Sequence, residues 1–239
     1  MSLTLSVIIP AYNEESRLPA YLDKILMYFE LHSFSYEIIV VDDGSSDGTS
    51  AVVESFRAKN PRVQLVQLPR NHGKGYAVRS GMLAASGQLR LFSDADGATP
   101  IEEIERLLRA HEQGADVSIA SRALHDDTCR VHGQLFRKII GTVFNLIVKV
   151  FAIRGIEDTQ CGFKLFTADV ADEVFSLQSI SGFAFDVEIL YLCRKRGYRI
   201  IEVPVNWADI KGTKVKVVRD SWLMFKDVLQ IWVNNYRGI

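Results

Sequence analysis

An α/β protein with a predominantly parallel central sheet and helices on both faces is expected from three features of this chain. Apolar runs rich in β-branched residues alternate four times with segments of helical periodicity over the first 112 residues. The runs are nearly continuous in their hydrophobicity, as strands buried on both faces are. Turns carrying Asp and Gly follow them, at the strand ends where an open parallel sheet gathers ligands.

The elements follow in order. LSVIIPAY (5–12) reads as the first strand, stopped by Pro10, and Ser16 to Leu31 as a helix with Leu18, Leu22, Ile25, Leu26 and Phe29 at helical spacing. YEIIVVDD (36–43) is the second strand, followed by the turn GSSDGT and a helix containing Ala51, Val52 and Phe56. VQLVQLP (63–69) is the third, followed by a helix from Tyr76 to Ser86; LRLFSD (89–94) is the fourth, with Pro100 near the start of a helix reaching Glu112. The second half is less regular: a strand at 116–122, a polar loop, an apolar helix at 134–153, a short strand FKLFT (163–167), a helix DVEILYLCRKRG, a strand YRIIEVPVNW and a last helix at 219–236. No internal repeat is present.

Composition removes several classes of function. Lys plus Arg (28) almost balance Asp plus Glu (29), so no global field draws the chain to nucleic acid. Cys129, Cys161 and Cys193 are odd in number and lack CxxC spacing, which argues against a disulfide framework or a cysteine-rich zinc site and for a reducing, cytoplasmic setting. The stretch IIGTVFNLIVKVFAI (139–153) is too short and, with Asn145 and Lys149, too polar to cross a bilayer alone. Association with a membrane surface stays open.

Carboxylates recur at the strand ends: Asp42 and Asp43 after IIVV, Asp94 and Asp96 around Ala95 after LRLF. Asp and Gly are also ordinary turn residues, but in extended backbone alternate side chains point the same way, and hard divalent cations prefer carboxylate oxygen. Metal plus diphosphate is the first chemical reading. Gly73, Lys74 and Gly75 precede a helix, where backbone amides and one cation can meet phosphate; a plain glycine turn is the alternative, and the spacing is not that of a Walker loop. Asp158 lies before an apolar strand, while Asp186 and Glu188 at a helix start also suit the helix dipole alone. Basic residues gather at Arg122, Arg130, Arg137, Lys138, Lys149 and Arg154, and again at Lys211, Lys214, Lys216 and Arg219. They suit an anionic lipid head or simply a solvated face. Trp222, Phe225, Ile231 and Trp232 suit core, oligomer contact or membrane interface equally.

IIPAYNEE (8–15), VVDDGSSDGT (40–49), NHGKGYAVRSG (71–81) and DADG (94–97) together resemble the family 2 glycosyltransferases of GT-A nucleotide-sugar fold. DTQCGFKLF (158–166), FAFDVEILYL (183–192) and VPVNWADIKGTKV (203–215) resemble the dolichyl-phosphate glucose and mannose synthases among them, the dolichyl-phosphate glucosyltransferases most. The resemblance implies one catalytic domain over 1–239, with a donor-binding half at 1–115 and an acceptor half with membrane-surface helices at 116–239. It places Pro10, Ala11, Tyr12, Glu14 and Asp43 around the base and ribose, Lys74 and Gly75 at the nucleotide, and Asp94, Ala95 and Asp96 at the diphosphate and its Mg²⁺ or Mn²⁺. Asp158 falls at the family's catalytic position, Arg122 on the active-site wall and Lys214 near the acceptor phosphate, while the basic cluster itself makes Arg130 a further candidate to hold that phosphate. Relatives often carry a membrane span beside the catalytic domain; none is legible here, which implies a cytoplasmic or peripheral protein held directly, by a membrane-anchoring partner, or as a homo-oligomer.

The implied reaction moves a hexose with inversion from UDP-glucose, or GDP-mannose, to a polyprenyl phosphate. A phosphate acceptor is already largely dianionic at neutral pH and needs no general base, whereas a sugar hydroxyl does. The alternatives are a same-fold transferase acting on a glycan hydroxyl and a non-catalytic nucleotide-sugar-binding module.

Overall fold

The computed structural model describes residues 4–32, 34–132, 155–210, 223–229 and 231. The helix expected at 134–153, the flanks of the one expected at 219–236, Trp222, Trp232 and every basic residue of the two expected clusters except Arg122 and Arg130 lie outside them. The strands are β1 (Leu5–Ala11), β2 (Tyr36–Asp42), β3 (Val63–Gln67), β4 (Leu89–Ser93), β5 (Val117–Ser121), β6 (Val131–His132), β7 (Phe163–Thr167), β8 (Ile200–Pro204) and β9 (Trp207–Ala208). The helices are α1 (Leu18–Leu31), α2 (Thr49–Arg57), α3 (Lys74–Ala84), α4 (Ile104–Glu112), α5 (Ala168–Leu177) and α6 (Phe185–Lys195), with a further helical stretch at 223–229.

Seven strands form one sheet in the order β3-β2-β1-β4-β7-β5-β8. β1 and β2 alternate their side chains between two cores: Ile8, Ile39 and Val41 meet α3, α5 and α6 on one face, while Val7, Ile9, Ile38 and Val40 meet α1, α2 and α4 on the other. Each such buried side chain contributes about 1.5–3 kcal/mol. Pro10 lies beyond the ladder with β4, which ends at Ile8, so its missing N–H removes no bond to that strand. Val228 and Ile231 are buried against the α3–α5–α6 core, which assigns Ile231 to packing.

Three local features differ from the sequence reading or add to it. β7 runs antiparallel to both β4 and β5, an inversion that periodicity does not reveal. The helix α5 follows β7 without any glycine or proline to announce it. And β4 stops at Ser93, so Asp94-Ala95-Asp96 is a turn, not extended backbone with alternating side chains. Among the described residues no helix is long and apolar enough to cross a membrane.

Candidate active site

The direction of β7 decides what meets what. Because it is antiparallel, the loop entering it (158–162) lies at the same sheet edge as the loops leaving β1, β2, β4 and β5. Ser93 pairs with Phe163, and the Asp94 amide donates to the Gly162 carbonyl at 3.0 Å. Asp158 and Asp94, 64 positions apart in sequence, thereby share one loop cluster.

The β1 and β2 loops are laced together. Asn13, in the left-handed region at φ 55°, accepts from the Ser46 amide at 2.8 Å, and the Glu14 amide donates to Thr49 Oγ1 at 2.8 Å. The Asp43 amide is held by the Ala11 carbonyl at 2.8 Å, and Asp42 accepts from the Ser45 amide at 2.9 Å and from the Ser50 hydroxyl. Tyr12 is left 38% exposed at the rim. The buried Glu14 carboxylate is occupied by Arg17, whose Nη1 also lies 3.7 Å from Asp96 Oδ2.

Four amides of the glycine loop find partners within the protein. His72 and Gly73 donate to the two Asp43 oxygens at 2.7 and 2.9 Å, while the Gly75 and Tyr76 amides point at Ser181 O at 2.8 and 3.3 Å. These four amides are thus taken up in the loop's own packing and not free for the expected phosphate cradle, while the Lys74 side chain opens α3 and reaches Asp94 Oδ1 at 2.6 Å. Burial lifts the Asp43 carboxyl above its usual range, with the two amides restraining it. At Gly75 a Cβ would stand 2.6 Å from the Ile180 carbonyl oxygen, so this glycine serves close packing beneath the loop.

Asp94 and Asp96 have side chains 35% and 26% exposed. Burial, and then Asp94, raise the Asp96 carboxyl, opposed by the Ala98 amide, Arg17 and Lys74. Burial alone would lower the Lys74 ammonium, but Asp94 and Asp186 raise it above the usual lysine value. Buried Ala95 points into the core, leaving its two neighbours at the site. Gly97, at φ 65°, lets the turn lie on the Tyr21 ring, where a Cβ would come within 2.6 Å of Cδ2; Tyr21 itself bonds Ser93 at 2.5 Å. Gly162 has no room for a Cβ, which would fall 2.1 Å from Asp94 Oδ2. Two carboxylates on a clamped turn fit Mg²⁺ or Mn²⁺, which take their remaining oxygens from phosphate and water.

Asp158 is 2% exposed and fully engaged. Oδ2 accepts from Arg122 Nε at 2.7 Å and from the Arg122 amide at 3.0 Å; Oδ1 accepts from Arg122 Nη2 at 2.9 Å and the Gln160 amide at 3.1 Å. Burial would raise this carboxyl, but Arg122 holds it below its usual range. Arg122 lies over the Trp207 ring at 5.4 Å, and the Trp207 amide donates to the Arg130 carbonyl at 3.0 Å. The β6–β9 pairing thus holds the backbone of exposed Arg130 next to Trp207, over whose ring Arg122 lies. Lys214 lies outside the described residues.

Three contributors were not singled out in the sequence. Arg17 follows Glu14 by three residues, the spacing of an ion pair on one helical face. Gly162 could be found only from the fold. Lys164 interrupts the apolar run FKLFT, and its side chain is fully buried, with Nζ 2.5 Å from Asp186 Oδ1 and 2.7 Å from the Cys161 carbonyl oxygen.

Residues 6–175 match the profile described as Glycosyl transferase family 2. A dolichyl-phosphate beta-glucosyltransferase of Drosophila melanogaster is 44% identical over 99% of this chain and 77% of its own length, and that of Homo sapiens 40% identical over 98% and 76%. Among solved structures, glucosyl-3-phosphoglycerate synthase from Mycobacterium tuberculosis with UDP superimposes with a TM-score of 0.70 at 19% identity, covering 97% of this chain and 79% of that one. Mannosyl-3-phosphoglycerate synthase from Rubrobacter xylanophilus gives 0.72 at 20% identity, covering 99% and 74%. These likenesses support the GT-A fold, and the profile and the curated relatives lead to one conclusion: the chain belongs to glycosyl transferase family 2.

Proposed function

We propose that this protein transfers glucose from UDP-glucose to the phosphate of a dolichyl-type polyprenyl lipid, with inversion at the anomeric carbon. The observation that carries the acceptor class is the state of Asp158. Both its oxygens are taken by Arg122 and the Gln160 amide, and its proton affinity is depressed, which is the reverse of what a base for a sugar hydroxyl requires. A phosphate dianion needs no base. The near full-length similarity to dolichyl-phosphate beta-glucosyltransferases supports the same acceptor and favours glucose over mannose.

In this reading Tyr12, Glu14 and Asp43, with Pro10 and Ala11 behind them, shape the nucleoside pocket. Asp94 and Asp96 hold a divalent cation, which when bound neutralises charge on the leaving diphosphate. Lys74 exchanges its bond with Asp94 for one with the diphosphate, so its charge follows the leaving group. Arg122, fixed by Asp158, faces the attacking phosphate, and Arg130 and Lys214 add charge-assisted donors for it. Glycosyl transfer then joins an acceptor oxygen to the anomeric carbon as its bond to the diphosphate oxygen breaks. A lipid acceptor calls for a membrane surface, and this reading takes its cytoplasmic face, with the chain peripheral, self-associated or attached to an anchoring partner.

The test is product formation from radiolabelled UDP-glucose, UDP-galactose and GDP-mannose with polyprenyl phosphate and Mg²⁺ or Mn²⁺, beside an acceptor-free control. Label from UDP-glucose entering the lipid phase is the expected result. Transfer only to a free or glycan hydroxyl would contradict the phosphate acceptor, and donor binding without any transfer would contradict an enzyme.

A further inference from the structure

Lys164 and Asp186 form an ion pair with side chains 0% and 3% exposed, at the heart of the sheet and beneath the site. Neither reaches the surface where substrates bind. Burying two opposite charges is seldom a gain over apolar packing, so such a pair calls for an account of what else it does. Its connections supply one.

Nζ of Lys164 makes two short bonds, one to Asp186 at the start of α6 and one to the Cys161 carbonyl at 2.7 Å. Cys161 belongs to the loop 158–162, which does two things at once. At its start, Asp158 holds Arg122 through backbone and guanidinium; at its end, the Gly162 carbonyl receives the Asp94 amide, and the missing Cβ leaves room for the Asp94 carboxylate. Asp186 also acts on Lys74, the partner of Asp94, and both lysines flank the Phe92 ring, at 5.7 Å for Lys74 and 5.2 Å for Lys164. A single buried ammonium therefore stands behind the donor carboxylate, its lysine and the acceptor-side arginine.

We propose that Lys164, held by Asp186, is a positioning residue that sets the Asp94 turn and the Asp158–Arg122 clamp relative to each other through the 158–162 loop. Losing its bond to the Cys161 carbonyl releases the loop, and both ends of the site loosen together. This rests on the transferase reading of Asp94 and Arg122 given above.

The experiment compares Lys164→Met, Asp186→Asn and the apolar pair Lys164→Met/Asp186→Leu with the full chain, following thermal stability, Mn²⁺–UDP affinity by calorimetry, and transfer. The apolar pair removes the buried charges together and separates stability from positioning. Its expected behaviour is a stability at or above that of Lys164→Met, Mn²⁺–UDP affinity at least tenfold weaker than wild type and transfer at least a hundredfold slower. Adding Asp158→Asn to Lys164→Met is expected to slow transfer by less than threefold further, since both act on one loop. If the apolar pair binds and turns over within threefold of wild type, the pair serves stability alone and the proposal fails; multiplicative losses in the Asp158→Asn combination would contradict it also. Where repacking prevents the apolar pair from folding, Asp186→Asn decides: reduced stability with unchanged binding and transfer overturns the proposal, and weakened binding in a folded protein upholds it. Wild-type protein that binds Mn²⁺–UDP but transfers nothing would overturn the functional reading, while the affinity changes still judge the positioning role.

Discussion

Asp94 and Asp96 have side chains 35% and 26% exposed, whereas those of Asp158 and Asp186 are 2% and 3% exposed. All four have a basic partner: Lys74, Arg17, Arg122 and Lys164. The first two partners are placed where an incoming cation can displace them, and Arg17 approaches Asp96 only to 3.7 Å. The second two are held by several short bonds each, and the carboxylates they pair with are almost closed to solvent. Sequence position does not separate these roles, for all four carboxylates lie beside strand or helix ends. Burial does: in the proposed function the accessible pair addresses ligand and the enclosed pair fixes geometry.

The strongest attack on this distinction is Asp158→Asn. It leaves the Arg122 guanidinium partly buried without its counter-charge, for an expected stability loss of about 3 kcal/mol, measured by denaturant titration, together with a loss of transfer. A stability change below about 0.5 kcal/mol would place Asp158 with the ligand-addressing group. Gly162→Ala acts on the opposite class. Its Cβ would lie 2.1 Å from Asp94 Oδ2, so the carboxylate must turn away, and a tenfold or greater loss of Mn²⁺-dependent UDP binding is expected with little change in thermal stability.

Lys74→Met sharpens the comparison at smaller scale. Without nucleotide, Mn²⁺ should bind several times more tightly, because Asp94 no longer has a competing cation, a partly exposed contact worth about 1 kcal/mol or less. With UDP present the variant should bind more weakly, since the same lysine then meets the diphosphate. Electron paramagnetic resonance of free Mn²⁺ reads both arms. The smallest effect is on pH. Asp158 sits below the usual 3.8, so the stability its ion pair supplies is full above that value and lost only as pH falls through the lower folded value. An acid limb near pH 6 in transfer should therefore follow the second ionisation of the acceptor phosphate, about twofold down at that pH, and vanish with an acceptor whose second ionisation is lower.

Much of the donor side was legible because the information is local. Four strand and helix units, the DADG turn and the β2-end aspartates announce themselves by apolar runs broken at Asp and Gly. The remainder depends on contacts distant in sequence. Nothing in FKLFT declares that β7 is antiparallel, yet that inversion alone brings 158–162 to Asp94. Lys164 was visible as a charge inside an apolar strand, but its meaning required Asp186, 22 residues on. The glycine loop suggested a phosphate cradle; the amides went instead to Asp43 and Ser181, which no spacing rule anticipates.

The most direct measurement is the affinity of UDP in saturating Mn²⁺ for Asp94→Asn and Asp158→Asn, by calorimetry, beside their rates of transfer to polyprenyl phosphate. The division of labour predicts that Asp94→Asn loses at least a hundredfold in affinity, while Asp158→Asn keeps it within threefold and loses turnover. Equal affinity losses in the two variants would contradict it.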